Sequence, residues 1–226
     1  MNYPSIEVRN FLNNADYVLN YAKSLQYEKT DGNYPGLRTK PLHEINFDFF
    51  RDINSKIIRL LYPDWEVFTN IEWQATSFFQ KINYDDVKFH VLNEEHTGKG
   101  WIHNDNQVKF TAIIYLTKGD GCGTGLYSKQ DNFTMVRGDH TIKYDYYYKN
   151  KEHNLQEYTK ILNENLNQFK LECLFNSSYN KMIGFDGSNP HGAFYNLKPG
   201  EERITYISFF RRIVAPYCHV PEMRRL

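Results

Sequence analysis

The chain has 226 residues, 41% of them hydrophobic and 16% aromatic, which is enough to bury a proper core and suits one domain with or without an insertion. Lys+Arg and Asp+Glu balance at 27 each; this excludes a global field steering the protein onto nucleic acid or an anionic membrane, and favours a small or locally recognised ligand. Three widely spaced cysteines, Cys122, Cys173 and Cys218, form no CxxC motif, which argues against a disulfide framework and for a reducing compartment.

In chain order, "SIEV" at 5–8 reads as a short strand with Ile6 and Val8 on one face. A helix follows, with Asn13 or Asn14 as its N-cap and Val18, Leu19, Ala22 and Leu25 as its apolar stripe. "TDGNYPGLRT" at 30–39 is turn chemistry, with Asp-Gly and Pro-Gly close together. Ile45, Phe49, Ile53, Ile57 and Leu60 stand at helical spacing and predict a second helix over 43–62, ending before Pro63. The N-terminal helices thus occupy about 12–62. From residue 65 the pattern becomes that of strands: "WEVFTN" (65–70), "IEWQATSFFQKI" (71–82), "VKFHVL" (87–92), "QVKFTAIIYL" (107–116), "NKMIGFD" (180–186) and "ERITYISFFRRI" (202–213) are β-branched or aromatic and bounded by Asn, Asp and Gly.

"GCGTG" at 121–125 lacks the lysine and the strand-to-helix setting of a phosphate loop and reads as a tight turn, with Cys122 a spectator thiol. The polar stretch at about 128–178 reads as an insertion decorating the sheet, helical over 153–167 and returning to strand at "FKLECLF". Its position makes it the natural place for a lid or a substrate-recognition element. No apolar run approaches the roughly 20 residues needed to span a bilayer. The N-terminus has neither a basic nor an apolar leader region. A cytoplasmic protein with no membrane segment is expected.

The chemistry concentrates in "WIHNDNQ" at 101–107. In an extended chain, residues i and i+2 project from one face, so His103 and Asp105 can share one ion. The alternative is a pair of surface residues on a loop. His191, in "SNPHGAFYN" after the strand "KMIGFD", is the candidate third ligand. Two imidazoles and one carboxylate make the facial triad that holds non-haem Fe(II) with positions left open. Arg203 and Thr205 are again i and i+2, and a guanidinium beside a hydroxyl suits a buried carboxylate. The alternative for Arg203 is a solvent-facing residue at a strand start, which Glu201 and Glu202 beside it suit.

HxD, a distal His, then Arg203 twelve residues on with a hydroxyl two further, resembles the Fe(II)/2-oxoglutarate-dependent oxygenases. The likeness is to the prolyl-hydroxylase-like branch and its small phage and bacterial relatives. It covers roughly 70–127 and 168–213, including "FTAIIYLTKGDGCGTGLY" and "NPH", and "FL…A…YPG.R" near the N-terminus extends it. The resemblance implies a mainly β fold with flanking helices, a distorted double-stranded β-helix (jelly roll), as a single oxygenase domain over 1–226. It implies that His103, Asp105 and His191 ligate iron, and that Arg203, assisted by Thr205, binds the distal carboxylate of 2-oxoglutarate. Tyr115 matches a tyrosine that binds the same carboxylate; on the residues alone it is equally a core aromatic of "AIIYL".

The reaction implied is hydroxylation of a C–H bond, of a prolyl or another amino-acid or peptide substrate, with O2 consumed and 2-oxoglutarate decarboxylated to succinate. Asp rather than Gly or Ala at position 105 argues for hydroxylation over halogenation. Two readings from other classes stand beside it: a non-catalytic jelly-roll binding protein, and a Zn-dependent hydrolase using the same ligands. His90, His96, His140, His153 and His219 lack a paired ligand and read as surface or structural residues. Trp101, Asn104, Gln107 and Phe185 read equally as pocket lining or as packing. The terminal arginines, Arg211, Arg212, Arg224 and Arg225, read as a solvated tail or a contact for an acidic partner, and the neutral overall charge favours the first.

Overall fold

A computed structural model describes residues 3–63, 71–92, 98–118, 122–131, 133, 139–149 and 155–215. The expected strand at 65–70 lies outside these residues, as do His96, His153, Cys218, His219, Arg224 and Arg225.

The first elements are β1 (Ile6–Val8) and α1 (Ala15–Ser24). Asn14 is the N-cap, its Oδ1 accepting from the Tyr17 amide at 3.1 Å. After β2 (Leu37–Arg38), the helix expected over 43–62 is two helices, α2 (Leu42–Ile45) and α3 (Phe47–Leu61). The break is Asn46, whose backbone is extended (φ −153°, ψ 94°) so that its side chain can cap α3 by accepting from the Phe49 amide. An asparagine gains more as an N-cap than as a mid-helix residue. Then come β3 (Glu72–Asn83) and α4 (Tyr84–Leu92).

Helix α4 corrects the strand expected at 87–92. Two aspartates sit in its first turn, and Asp86 reaches back to accept from the Asn83 amide at 2.8 Å. Val87 and His90 then bury one helical face. The β-branched "VKFHVL" misled because the capping residues precede it.

The rest of the described chain runs β4 (Phe110–Tyr115), β5 (Gly123–Lys129), α5 (Asp139–Tyr147), α6 (Leu155–Leu166), β6 (Phe169–Asn176), β7 (Lys181–Asp186), β8 (His191–Phe194) and β9 (Glu202–Val214). Six strands form one antiparallel sheet in the order β1-β7-β4-β9-β3-β2, and three form a second in the order β6-β5-β8. The run 98–103 lies beside β8 through bridges at Lys99–Phe194 and His103–His191. This is the mainly β, distorted double-stranded β-helix that the resemblance implied. Three residues of "GCGTG" open β5 rather than forming a turn. A Cβ at Gly123 would meet the Phe175 carbonyl oxygen at 2.5 Å, so the close approach of β6 requires glycine there.

Period-two alternation assigns the two faces of the large sheet. Phe110, Ala112, Ile114, Tyr206 and Phe210 pack outward against α1 and α3, whose Val18, Ala22, Ile57 and Leu61 complete the main core. Asn54 of α3 is fully buried in that layer, satisfied by Ser77 and Ser208 of the sheet and by the Phe50 carbonyl. Ile113, Tyr115, Ile183, Phe185 and Ile207 point inward and meet Leu126 of the small sheet. Thr111, Arg203 and Thr205 share that inward face by register. Among the described residues no helix is long and apolar enough to cross a membrane.

Candidate metal centre

Cross-strand pairing brings the two histidines together. The His103 amide donates to the His191 carbonyl at 2.9 Å and the His191 amide to the His103 carbonyl at 2.8 Å. Residues directly opposite in an antiparallel pair carry side chains on one face, and the two rings stand 4.5 Å apart between centroids. Asp105 follows after the chain has left the pairing, and its amide is fixed by the Gly187 carbonyl at 2.9 Å. The expected sharing of a face by His103 and Asp105 is met, although Asp105 itself is in a loop.

The three side chains converge. One ligand atom from each of His103, Asp105 and His191 lies within 4.8 Å of the others. His103 Nε2 is 3.9 Å from Asp105 Oδ1, and His191 Nε2 is 3.4 Å from Asp105 Oδ2. Ligands bound at about 2.1 Å in adjacent positions lie about 3 Å apart, so the cluster needs only a small contraction to close on an ion.

Each imidazole is held from behind. His103 Nδ1 donates to the Trp101 carbonyl at 3.2 Å and His191 Nδ1 to the Asn189 carbonyl at 2.9 Å. A carbonyl can only accept, so the proton sits on Nδ1 and the Nε2 lone pair faces the cluster. Thr111 Oγ1 donates to Asp105 Oδ2 at 2.6 Å and orients the carboxylate. The turn before His191 is set by Asp186, whose Oδ1 accepts from the Ser188 amide and hydroxyl at 2.9 and 2.6 Å. His103 shows 47% of its side-chain surface, whereas His191 shows 8%. Burial, then the neighbouring His191, lower the His103 pKa to about 3.

The inward face of β9 also carries a buried cation. Arg203 is 7% exposed, which overturns the solvent-facing alternative. Its Nε and Nη1, and the hydroxyl of Thr205, are buried with no hydrogen-bond partner among the described residues. The guanidinium carbon is 5.4 Å from the centroid of the Tyr115 ring, and the Tyr115 hydroxyl lies 2.8 Å from Thr124 Oγ1. Burial raises the Tyr115 pKa against the opposing effect of Arg203, so it remains a neutral hydroxyl. Tyr115 is thus both a core aromatic and a neighbour of Arg203.

Other expected positions separate. Trp101 is packing: it is buried, and its indole N–H donates to the Tyr158 hydroxyl at 2.8 Å. Phe185 backs the site, its ring 4.7 Å from that of His191. Asn104 is exposed and donates to the Ser188 carbonyl; Gln107 is exposed in a left-handed conformation (φ 64°). His90 is structural. It is fully buried, its Nδ1 bonded to the Lys99 carbonyl and its Nε2 within 3.0 Å of the Tyr147 and Tyr158 hydroxyls. His140 is exposed.

Sequence reading missed four side chains. Thr111 lies two and four residues before Ile113 and Tyr115 on one strand, a spacing that could have found it. Asn165 of α6 clasps Ile102: its Oδ1 accepts from the Ile102 amide at 2.9 Å and its Nδ2 donates to the Ile102 carbonyl at 3.0 Å. Lys143 of α5 lies with its Nζ 5.0 Å from the Trp101 ring centroid. Arg38 of β2 feels the charge of Asp105. Arg38 falls within the "YPG.R" pattern, although no role was read from it; nothing in the local sequence signals Asn165 or Lys143.

No protein-family model matches the sequence, nor does any curated protein. Solved structures share its fold at low identity. HygX of Streptomyces hygroscopicus, with nickel, 2-oxoglutarate and hygromycin B bound, is 11% identical with a TM-score of 0.53 over 92% of this chain and 82% of HygX. AviO1 of Streptomyces viridochromogenes is 12% identical with a TM-score of 0.52 over 96% and 94% of the two chains. The epimerase SnoN, in complex with Fe3+, alpha ketoglutarate and nogalamycin RO, is 12% identical with a TM-score of 0.50 over 92% and 78%.

Proposed function

We propose that the chain is an Fe(II)- and 2-oxoglutarate-dependent dioxygenase, one domain over 1–226 with an insertion at about 128–178. It would hydroxylate a C–H bond of a small-molecule or peptide substrate, a prolyl or other amino-acid group being the class expected. The observation that carries the reading is the buried guanidinium of Arg203, two of whose N–H-bearing nitrogens, with the Thr205 hydroxyl, have no hydrogen-bond partner among the described residues. A buried charge without a counter-ion is costly, and a dicarboxylate ligand resolves it. The other end of such a ligand would reach the His103–Asp105–His191 cluster, whose three ligand atoms leave positions open for it.

The donor set fits iron: two imidazoles presenting Nε2, and a carboxylate oriented by Thr111. Iron with 2-oxoglutarate supplies O2 activation coupled to decarboxylation, giving succinate. The residues do the rest. Arg203 and Thr205 grip the distal carboxylate, and Tyr115 lies beside them as a neutral hydroxyl. Phe185, Ile183 and Ile207 keep the interior dry. The Asp105 carboxylate fills the position a halide would need, which favours hydroxylation. HygX and SnoN hold a metal and 2-oxoglutarate on the same fold, which accords with this reading. A Zn-dependent hydrolase indifferent to 2-oxoglutarate would leave Arg203 unexplained.

The test is anaerobic addition of Fe(II) and 2-oxoglutarate. A visible charge-transfer absorption is expected in the wild type and not in His103→Ala. Its absence from the wild type, or its persistence in the variant, sinks the reading. Substrate-dependent succinate formation across amino acids, peptides and nucleosides then identifies the substrate class.

A further inference from the structure

The segment "YPGLR" at 34–38 has no role in the oxygenase machinery described so far, yet it runs to the mouth of the site. Gly36 is left-handed (φ 75°), and a Cβ there would meet the Lys81 carbonyl oxygen at 2.1 Å, so only glycine lets the turn lie against β3. Gln80 of β3 secures the turn by donating to the Pro35 carbonyl at 2.8 Å. The backbone of Arg38 pairs with Glu28 in both directions, at 2.9 and 3.1 Å. The loop is therefore fastened without the Arg38 side chain.

That side chain projects from the inward face. Its Cα is opposite Gln80, and Gln80 is opposite Thr205 of the 2-oxoglutarate pocket. The guanidinium lies 3.5 Å from the Tyr34 ring centroid on one side, and 5.5 and 5.8 Å from the Phe78 and Phe209 centroids. Its one hydrogen bond to the protein among the described residues is a long contact, Nη2 to Gln80 Oε1 at 3.4 Å, and its Nε is buried with no partner. The carboxylate whose charge acts on it is Asp105. Phe209 of this aromatic cradle is opposite Thr111, whose hydroxyl holds Asp105, so the guanidinium lies on the side of the triad.

We infer that Arg38 is the anchor for an anionic oxyacid group of the substrate, a carboxylate or a phosphate. The apolar part of the same small molecule lies along Phe78 and Phe209, which holds its reacting carbon toward the triad. The inference rests on the proposed iron- and 2-oxoglutarate-dependent reading, and it narrows the small-molecule or peptide substrate to one that carries an anionic group. A guanidinium recognises such groups through paired N–H donors, which a neutral isostere cannot satisfy.

The experiment uses full-length protein loaded with Zn(II) and 2-oxoglutarate, with 15N-labelled arginine. The probes are acetate, inorganic phosphate and the neutral isostere acetamide. The Nε–H resonance that disappears in Arg38→Lys belongs to Arg38. Saturable displacement of that resonance by acetate or phosphate, with none by acetamide, is the expected result. Tighter binding of one anion separates a carboxylate substrate from a phosphate substrate. In Arg38→Gln, acetate protection of the protein against thermal unfolding should require about tenfold more acetate or more. An Arg38 resonance unmoved by both anions, or an equal response to acetamide, overturns the inference. The anaerobic Fe(II)/2-oxoglutarate absorption, recorded on the same wild-type and Arg38→Gln preparations, distinguishes the two failures. If it is missing from the wild type, the oxygenase reading has failed; if it is present in both without an anion response, only the role of Arg38 has failed.

Discussion

His103 and His191 exchange both backbone hydrogen bonds, at 2.9 and 2.8 Å, so their alignment is a property of strand register before it is a property of any metal. A shift of one residue would turn one imidazole to the opposite face. The site is accordingly as well defined as the bridge that carries it, and the supporting contacts can be tested singly.

Thr111→Val removes the 2.6 Å hydrogen bond to Asp105 Oδ2 with little change in shape. Metal affinity should fall about tenfold, within the range for outer contacts of a ligand, while the circular dichroism spectrum and unfolding midpoint stay close to those of the wild type. Calorimetric titration with Co(II) measures this. Unchanged affinity would show that Asp105 is oriented without Thr111.

Arg203→Met should have opposite effects on the empty and loaded protein. Removing a buried cation whose Nε and Nη1 have no hydrogen-bond partner among the described residues leaves the unliganded protein as stable as before or more so. The wild type, at 2-oxoglutarate about a hundredfold above its dissociation constant, should gain about 5–10 °C in unfolding midpoint. The variant should gain nothing. Differential scanning fluorimetry with and without 2-oxoglutarate and Zn(II) reads both effects.

The pH dependence follows from His103, whose pKa falls from 6.5 to about 3 through burial and the neighbouring His191. The folded state keeps the imidazole neutral where the unfolded chain takes up a proton. Stability of the metal-free protein therefore drops as the pH falls from 6.5 toward 3. His103→Asn abolishes this titration, so its unfolding midpoint should decline less steeply between about pH 7 and pH 5. Equal slopes would disprove the assignment.

Asn165→Ala strips both partners from the buried backbone of Ile102. A cost of about 1–3 kcal/mol is expected for the amide and carbonyl left unpaired. Hydrogen exchange should quicken at Ile102 and His103, and metal affinity should weaken although no ligand has changed. Slow exchange at both amides in the variant would show that the 101–103 run is held without the clasp.

The chemistry was more legible in the sequence than its scaffolding. Strand periodicity pairs His103 with Asp105 and Arg203 with Thr205, the family resemblance adds His191 to the set, and the structure brings the two histidines and Asp105 within one cluster. Where composition outweighed capping, reading failed: "VKFHVL" is helical because Asp85 and Asp86 start a helix just before it. The single helix expected over 43–62 overlooked that Asn46 serves better as a cap. Lys143 and Asn165, and the role of Arg38 within "YPG.R", were invisible for another reason. Each reaches the site from an element distant in sequence, and nothing local distinguishes a residue that crosses to a remote strand from one that faces water.

Asn165 has a consequence for how molecules of this protein meet one another. The run 98–103 is the margin of the small sheet, with β8 on one side of it. Outward-pointing N–H and C=O groups on such a margin form a template onto which another chain can add. A side-chain amide with one donor and one acceptor matches a single peptide unit, and Asn165 uses it to occupy Ile102 at that margin. Asn165→Ala would free that peptide unit, and light scattering of the concentrated variant is expected to show oligomers that grow with protein concentration; a size equal to that of the wild type would show that the margin is covered without Asn165.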